Sequence, residues 1–147
     1  MGGGEFTMLK AGYTILAHPS DLGIEARGAG LAEMFGQAAA GLTSIMVDLS
    51  TVRPLETRTV ALSGSDIPHL MVRWLEEVLY LFDGEGFVGK EFSISSISHT
   101  EMKAELRGEP FSPATHRTLL GVKAVTYHQL AIREGSDGAV ARIFFDI

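Results

Sequence analysis

The chain has no cysteine among its 147 residues, which removes disulfides, thiolate metal sites and thiol nucleophiles together. Basic residues are also in short supply. Twelve Lys and Arg stand against eighteen Asp and Glu, a formal charge of −6 with the five histidines neutral. Such a protein repels phosphate backbones on average, because nucleic-acid affinity comes largely from basic groups that release counterions. No run of Lys and Arg offsets this, so a role near RNA or DNA needs a local basic patch or a basic partner. Long apolar runs are missing too. Stretches such as Ile143 to Phe145 fall far short of the roughly 18–20 residues that span a bilayer. The sequence shows no signal peptide, so the expected compartment is the cytoplasm. No two histidines have the i, i+4 or His-x-Glu-x-x-His spacing of a zinc site.

What is present suits a folded domain. Apolar residues make up 46% and charged residues 20%, well away from compositions that cannot bury enough surface to offset chain entropy. The length fits one domain. Gly2 to Gly4, then Glu5, Phe6 and Thr7, read as a linker and cloning-site residues, with Met8 the expected natural start and 8–147 the domain.

Tyr13 to Ala17 and Leu22 to Ala26 read as short strands around the loop His18-Pro19-Ser20-Asp21. From Leu31, apolar residues at Met34, Phe35, Ala38, Leu42, Ile45 and Met46 follow the helical period. A turn through Asp48, Ser50 and Pro54 leads to a strand over Thr57–Ser63. The second helix opens with Asp66 as N-cap and Pro68 in the first turn, and its buried stripe runs from Leu70 through Trp74 to Phe82. Strands are then expected at Phe87–Ile97, His99–Arg107, Val122–Arg133 and Ala139–Ile147. Met102, Ala104 and Leu106 alternate with charged neighbours, the mark of a sheet with one wet face. Asp137-Gly138 favours a tight hairpin. The expected fold is α+β: two amphipathic helices packed on mostly antiparallel β-sheet, in a single domain.

Gly84-Glu85-Gly86-Phe87-Val88-Gly89 matches G-x-G-x-x-G, but it follows a helix and opens a strand. A pyrophosphate site needs the reverse order, so this is a turn. Ser65 and Asp66 read as helix caps, since the second glycine of a nucleophile elbow is absent. Lys123-Ala124-Val125-Thr126-Tyr127-His128 gathers an amine, a hydroxyl, a phenol and an imidazole, although on sequence pattern a plain strand with amphipathic margins is the favoured account. Asp21 has a plain reading as a turn former. Asp146-Ile147 sets a side-chain carboxylate beside the terminal one. If Asp21 reached this point, each carboxylate pair at about 5 Å would cost on the order of 3 kcal/mol at an effective dielectric near 20. Oxygen donors without Cys or paired His select hard ions such as Ca²⁺ or Mg²⁺.

The strings His18-Pro19-Ser20-Asp21-Leu22-Gly23-Ile24, Met46-Val47-Asp48, Trp74 to Tyr80, Gly108-Glu109, Lys123 to His128 and Asp146-Ile147, in this order and spacing, resemble the archease family. The resemblance implies a non-catalytic accessory protein of tRNA splicing. It would activate an RtcB-type RNA ligase, promoting its guanylylation and multiple turnover, with GTP belonging to the ligase. It also implies that Asp21 and Asp146 ligate a divalent cation, calcium first with magnesium or manganese as alternatives, and that Ile147 adds main-chain oxygens. Lys123 would be a further functional residue acting on the ligase or its nucleotide, with His18 beside the Asp21 loop. Contact with tRNA is then expected only through the ligase, with no DNA or membrane partner. Two departures stand out. The family usually has His-Thr-Ala-Asp where this chain has His18-Pro19-Ser20-Asp21, and many members carry an acidic residue at the position of Gly121. A chaperone-like module protecting a tRNA-modifying or other client enzyme is the alternative. A metal-dependent hydrolase is a third reading, with His18 as its base.

Overall fold

The computed structural model describes residues 9–17 and 21–147. Two helices and seven strands follow in the order β1 (Gly12–Ala17), β2 (Leu22–Gly28), α1 (Leu31–Met46), β3 (Glu56–Ser63), α2 (Ile67–Asp83), β4 (Phe87–Ile97), β5 (Glu101–Pro110), β6 (Ala124–Gly135) and β7 (Gly138–Asp146). The strands form two sheets, one ordered β1-β2-β7-β6 and one ordered β3-β5-β4. Every pairing within them is antiparallel. The α+β expectation holds, and the strand content is divided between two sheets.

The helices form for the reasons their sequences give. At α2, the Asp66 carboxylate accepts from the His69 N–H and Pro68 occupies the first turn, where its missing N–H leaves no bond unmade. Gly86, at φ +66°, makes the glycine-rich turn that carries α2 into β4. In α1 the N-cap is Gly30, which has no side-chain cap. Instead the Glu33 carboxylate reaches back to the Ala29 N–H at 2.7 Å. Past its end, a single 3₁₀ turn at Leu49–Thr51 is capped by Asp48, which accepts from both the backbone and the hydroxyl of Ser50. Those bonds to Ser50, the hydroxyl's first, hold the Asp48 carboxyl below its ordinary range.

Both helices touch strands of both sheets, so the core lies among the two helices and the two sheets. Phe35, Met34 and Leu42 of α1, Trp74, Leu75 and Met71 of α2, Ile24 and Ile143 of one sheet, and Met102 and Leu106 of the other are all fully buried there. Trp74 also donates its indole N–H to the Phe35 carbonyl at 2.9 Å, tying helix to helix without leaving a buried donor unmade. At Gly36 a Cβ would stand 2.8 Å from the Phe92 carbonyl oxygen; only glycine lets α1 lie this close to β4.

Several strand ends shift by a few residues from expectation, and two departures have a local cause. The strand expected from His99 starts at Glu101, because the Ser98 hydroxyl accepts from the N–H groups of Thr100 and Glu101 and makes a turn there. The stretch expected as one strand over Val122–Arg133 is interrupted. Thr126 pairs with Phe144 and Ala131 with Arg142, so Tyr127, His128, Gln129 and Leu130 all stand opposite Ile143.

Candidate functional site

The four-stranded sheet determines which chain ends meet. β2 pairs with β7 in antiparallel register, Leu22 opposite Phe145, so Asp21 and Asp146 flank the next register position. On the other side of β7, Ala124 pairs with Asp146, and the Lys123 N–H donates to the Asp146 carbonyl oxygen at 2.7 Å. Residues Asp21, Lys123, Asp146 and Ile147 therefore stand at one end of three neighbouring strands, although the outermost are separated by most of the sequence. Asp21 is partly buried, whereas Lys123, Asp146 and Ile147 are exposed. His18 lies outside the described residues.

This end of the sheet offers oxygen donors. Among the described residues no three His, Cys, Asp or Glu side chains are grouped to hold a metal ion. A cation bound by Asp21 and Asp146 needs further oxygens from the main chain, which Ile147 is placed to offer. Carboxylates completed by main-chain oxygens are a donor set for hard divalent cations. In chemical type and in position along the sheet, the residues present fit such an ion.

Lys123 faces another feature as well. It lines a groove of about 390 Å³ between α2 and β6, together with Glu76, Tyr80 and Asp83 of the helix. Among the described residues, no carboxylate lies within ion-pair distance of its ammonium, which leaves that charge available to a partner.

The Lys123–His128 stretch is not a plain strand. The Thr126 hydroxyl donates to the Phe144 carbonyl at 3.1 Å and accepts from the His128 N–H at 3.2 Å. Gln129, at φ +55°, occupies the left-handed region, which few non-glycine residues adopt. Together they fix a four-residue bulge that holds Tyr127 57% exposed on the outside of the molecule.

A second polar constellation was visible in the sequence only as the pair Gly108-Glu109. Glu109 and His116 are 6% and 3% exposed. Ser112 donates its N–H to His116 Nδ1 at 2.9 Å, so Nε2 is the ring nitrogen left to donate, and it lies 2.9 Å from Glu109 Oε2. The same carboxylate oxygen accepts from the Arg53 N–H at 2.8 Å, and the Arg53 guanidinium reaches the other oxygen at 3.3 Å. The His116 bond first, and then the Arg53 N–H, lower the Glu109 carboxyl to about 2 against the opposing effect of burial. The function of this network is positional. It anchors the long connection from β5 to β6, which further bonds fix to α1 through Leu119 N–H to the Met46 carbonyl and Leu120 N–H to the Ile45 carbonyl. That connection delivers Lys123 to the end of the sheet.

Fold and site together define a class: a small cysteine-free α+β protein of two antiparallel sheets, with oxygen donors and one lysine gathered where three strands end. A model of the archease protein family matches residues 13–147. Protein archease of Methanosarcina acetivorans is 34% identical over 139 residues, covering 92% of this chain and 95% of that protein. Protein archease of Saccharolobus islandicus is 37% identical over 137 residues, covering 92% and 98%. In the solution structure of protein 1598 of Methanobacterium thermoautotrophicum, the fold superposes with a TM-score of 0.77 at 29% identity, over 92% of this chain and 99% of that one. The chain belongs to the archease family.

Proposed function

We propose that this protein is a non-catalytic activator of an RtcB-type RNA ligase in tRNA splicing, and that it carries a divalent cation at Asp21, Asp146 and the Ile147 main chain. One observation carries the reading: in a chain of this family, the register of β2, β7 and β6 brings these residues and Lys123 to one sheet end. A calcium ion there would supply positive charge and open coordination positions for a partner's oxygens. The chain's own residues do the rest. The two aspartates would hold the ion, and Lys123 offers a free ammonium to an anionic group of the ligase or of its GTP. The acidic surface elsewhere suits a basic, RNA-binding partner.

In this reading the splicing reaction and the main grip on tRNA belong to the ligase. Ligated RNA per ligase molecule, measured with RNA in excess under GTP and divalent metal, should rise when the protein is added. Equal yields with and without it would exclude activation. Protection of a client enzyme from aggregation, with no change in ligation, would move the function to the chaperone class.

A further inference from the structure

The outer face of the four-stranded sheet carries a basic cluster that the sequence hides. β2, β7 and β6 place Arg27, Val140 and Arg133 in one cross-strand row and Glu25, Arg142 and Ala131 in the next. The alternate residues Ile24, Ala26, Ala139, Ala141 and Ile143 are fully buried, so the arginine rows point away from the core. Three of the chain's arginines thus line one groove in which Glu25 is the single carboxylate among the described residues. The groove's lining is therefore net positive in a chain of net charge −6. The groove measures about 530 Å³, floored by Val140 and Ala131 and bordered by Leu9.

The cluster is held in a fixed arrangement. Glu25 accepts from Arg142 Nε at 2.8 Å and lies 3.4 Å from Arg27 Nη1, which also donates to the Thr14 hydroxyl at 3.0 Å. Arg133 is exposed, and among the described residues it has no carboxylate within ion-pair distance. Arg27 and Arg133 sit two strand spacings apart, roughly 10 Å. With Glu25 fixing two of the three guanidiniums, the set is spread along the face instead of converging on one point. Spread, planar forks match successive phosphates of a strand better than one small anion. Among the described residues the groove has no aromatic lining, so it would grip backbone and not bases.

We infer that this groove binds the phosphate backbone of an RNA strand directly, as a site separate from Asp21 and Asp146. By register it lies on the same sheet face as Asp146, with Arg142 four residues, roughly 13 Å, along β7. It supplies the local basic patch that an acidic chain needs in order to touch RNA at all. The choice of RNA over an acidic peptide rests on the function proposed above, and the test omits the ligase so that each idea can fail alone.

The experiment measures fluorescence anisotropy of a labelled single-stranded oligoribonucleotide with the full chain, over a salt series. Wild type should bind weakly, with a negative slope of log affinity against log salt. Arg133→Ala and Arg142→Ala should each weaken binding at least about threefold and make that slope shallower by about one. Asp146→Asn should not weaken it. Among the described residues Arg133 makes none of the sheet's ion pairs, so its variant should keep the wild-type melting curve even if Arg142→Ala loosens the sheet. No binding by wild type, unchanged binding by Arg133→Ala, or tighter binding of a glutamate-rich peptide than of RNA would each overturn the inference.

Discussion

His116 donates its Nε2 proton to Glu109 at 2.9 Å in a position where both side chains are nearly hidden from water. This bond makes acid stability the first measurable consequence. The Glu109 carboxyl lies lower when folded, about 2, than its ordinary value of 4.5. A carboxyl lowered by folding stabilises the protein above its unfolded value and loses that contribution as pH falls toward its folded one. Stability from this group should therefore be complete above about pH 4.5 and fade between there and about pH 2. Thermal melts across that range should show the loss, and Glu109→Gln, which keeps the shape and removes the charge, should flatten it.

Gly36 tests how closely helix and sheet approach. Gly36→Ala would normally favour a helix, yet here its Cβ would press on the Phe92 carbonyl. The clash should win and destabilise by about 1–3 kcal/mol. Denaturant unfolding should show a lower midpoint with an unchanged slope. A gain in stability would mean that α1 can lift from β4 at no cost.

Trp74 tests the junction of the two helices. Its ring is fully buried and its N–H is bonded to α1, so Trp74→Phe removes both volume and a partner for the Phe35 carbonyl. A cost of about 1–3 kcal/mol is expected, read by denaturant titration. Trp74→Ala should cost more, about 3–5 kcal/mol.

Both helices were legible in the sequence because their stripes hold a single period and α2 carries an explicit cap at Asp66. The strands were legible from alternation such as Met102, Ala104 and Leu106. Alternation tells which face is wet; it does not say which strand lies beside which, and so the division into two sheets had to come from the structure. The bulge was hidden for a local reason: Tyr127 and Leu130 suit a strand, and Gln129 holds a left-handed conformation without the glycine that would have marked it. Asp21 and Asp146 were nameable as candidates, but their shared sheet end depends on β2 and β7 being neighbours. The arginine cluster was invisible for the same reason, since Arg27 lies far in sequence from Arg133 and Arg142. Glu109 and His116 look like ordinary loop residues until the connection folds over them.

Thr126 should be the keystone of the bulge. Thr126→Val keeps the branched shape that a strand favours, but it leaves the His128 N–H and the Phe144 carbonyl without their shared partner. A modest loss of about 1 kcal/mol is expected. The larger effect should be local, with faster amide exchange over Tyr127–Leu130 than in the rest of β6. If the bulge matters for meeting the ligase, activation should fall by more than the stability change explains.

The carboxylate end of the sheet gives the most direct test of the proposed site. Asp21 and Asp146 flank one register position, and the proposed cation between them would offset the repulsion of their carboxylates. Ligand binding to the native state alone stabilises by about 2.7 kcal/mol at a hundredfold excess over Kd, which for a chain of this size is a rise in melting temperature of roughly 5–10 °C. Wild type should show such a rise with calcium. Asp21→Asn and Asp146→Asn remove one charge each while keeping the side-chain shape, so they should fold normally in the absence of calcium and gain much less from it. In calcium-free buffer they should even melt slightly higher than wild type, because the repulsion is gone. Ligase activation should fall in parallel with calcium affinity. Lys123→Met separates the two roles: the calcium response should persist, since the lysine is no oxygen donor, while activation declines. Calorimetric titration of the four proteins decides the matter. If wild type and both asparagine variants gave the same isotherm, Asp21 would be a turn residue and Asp146 a strand end, with no cation between them.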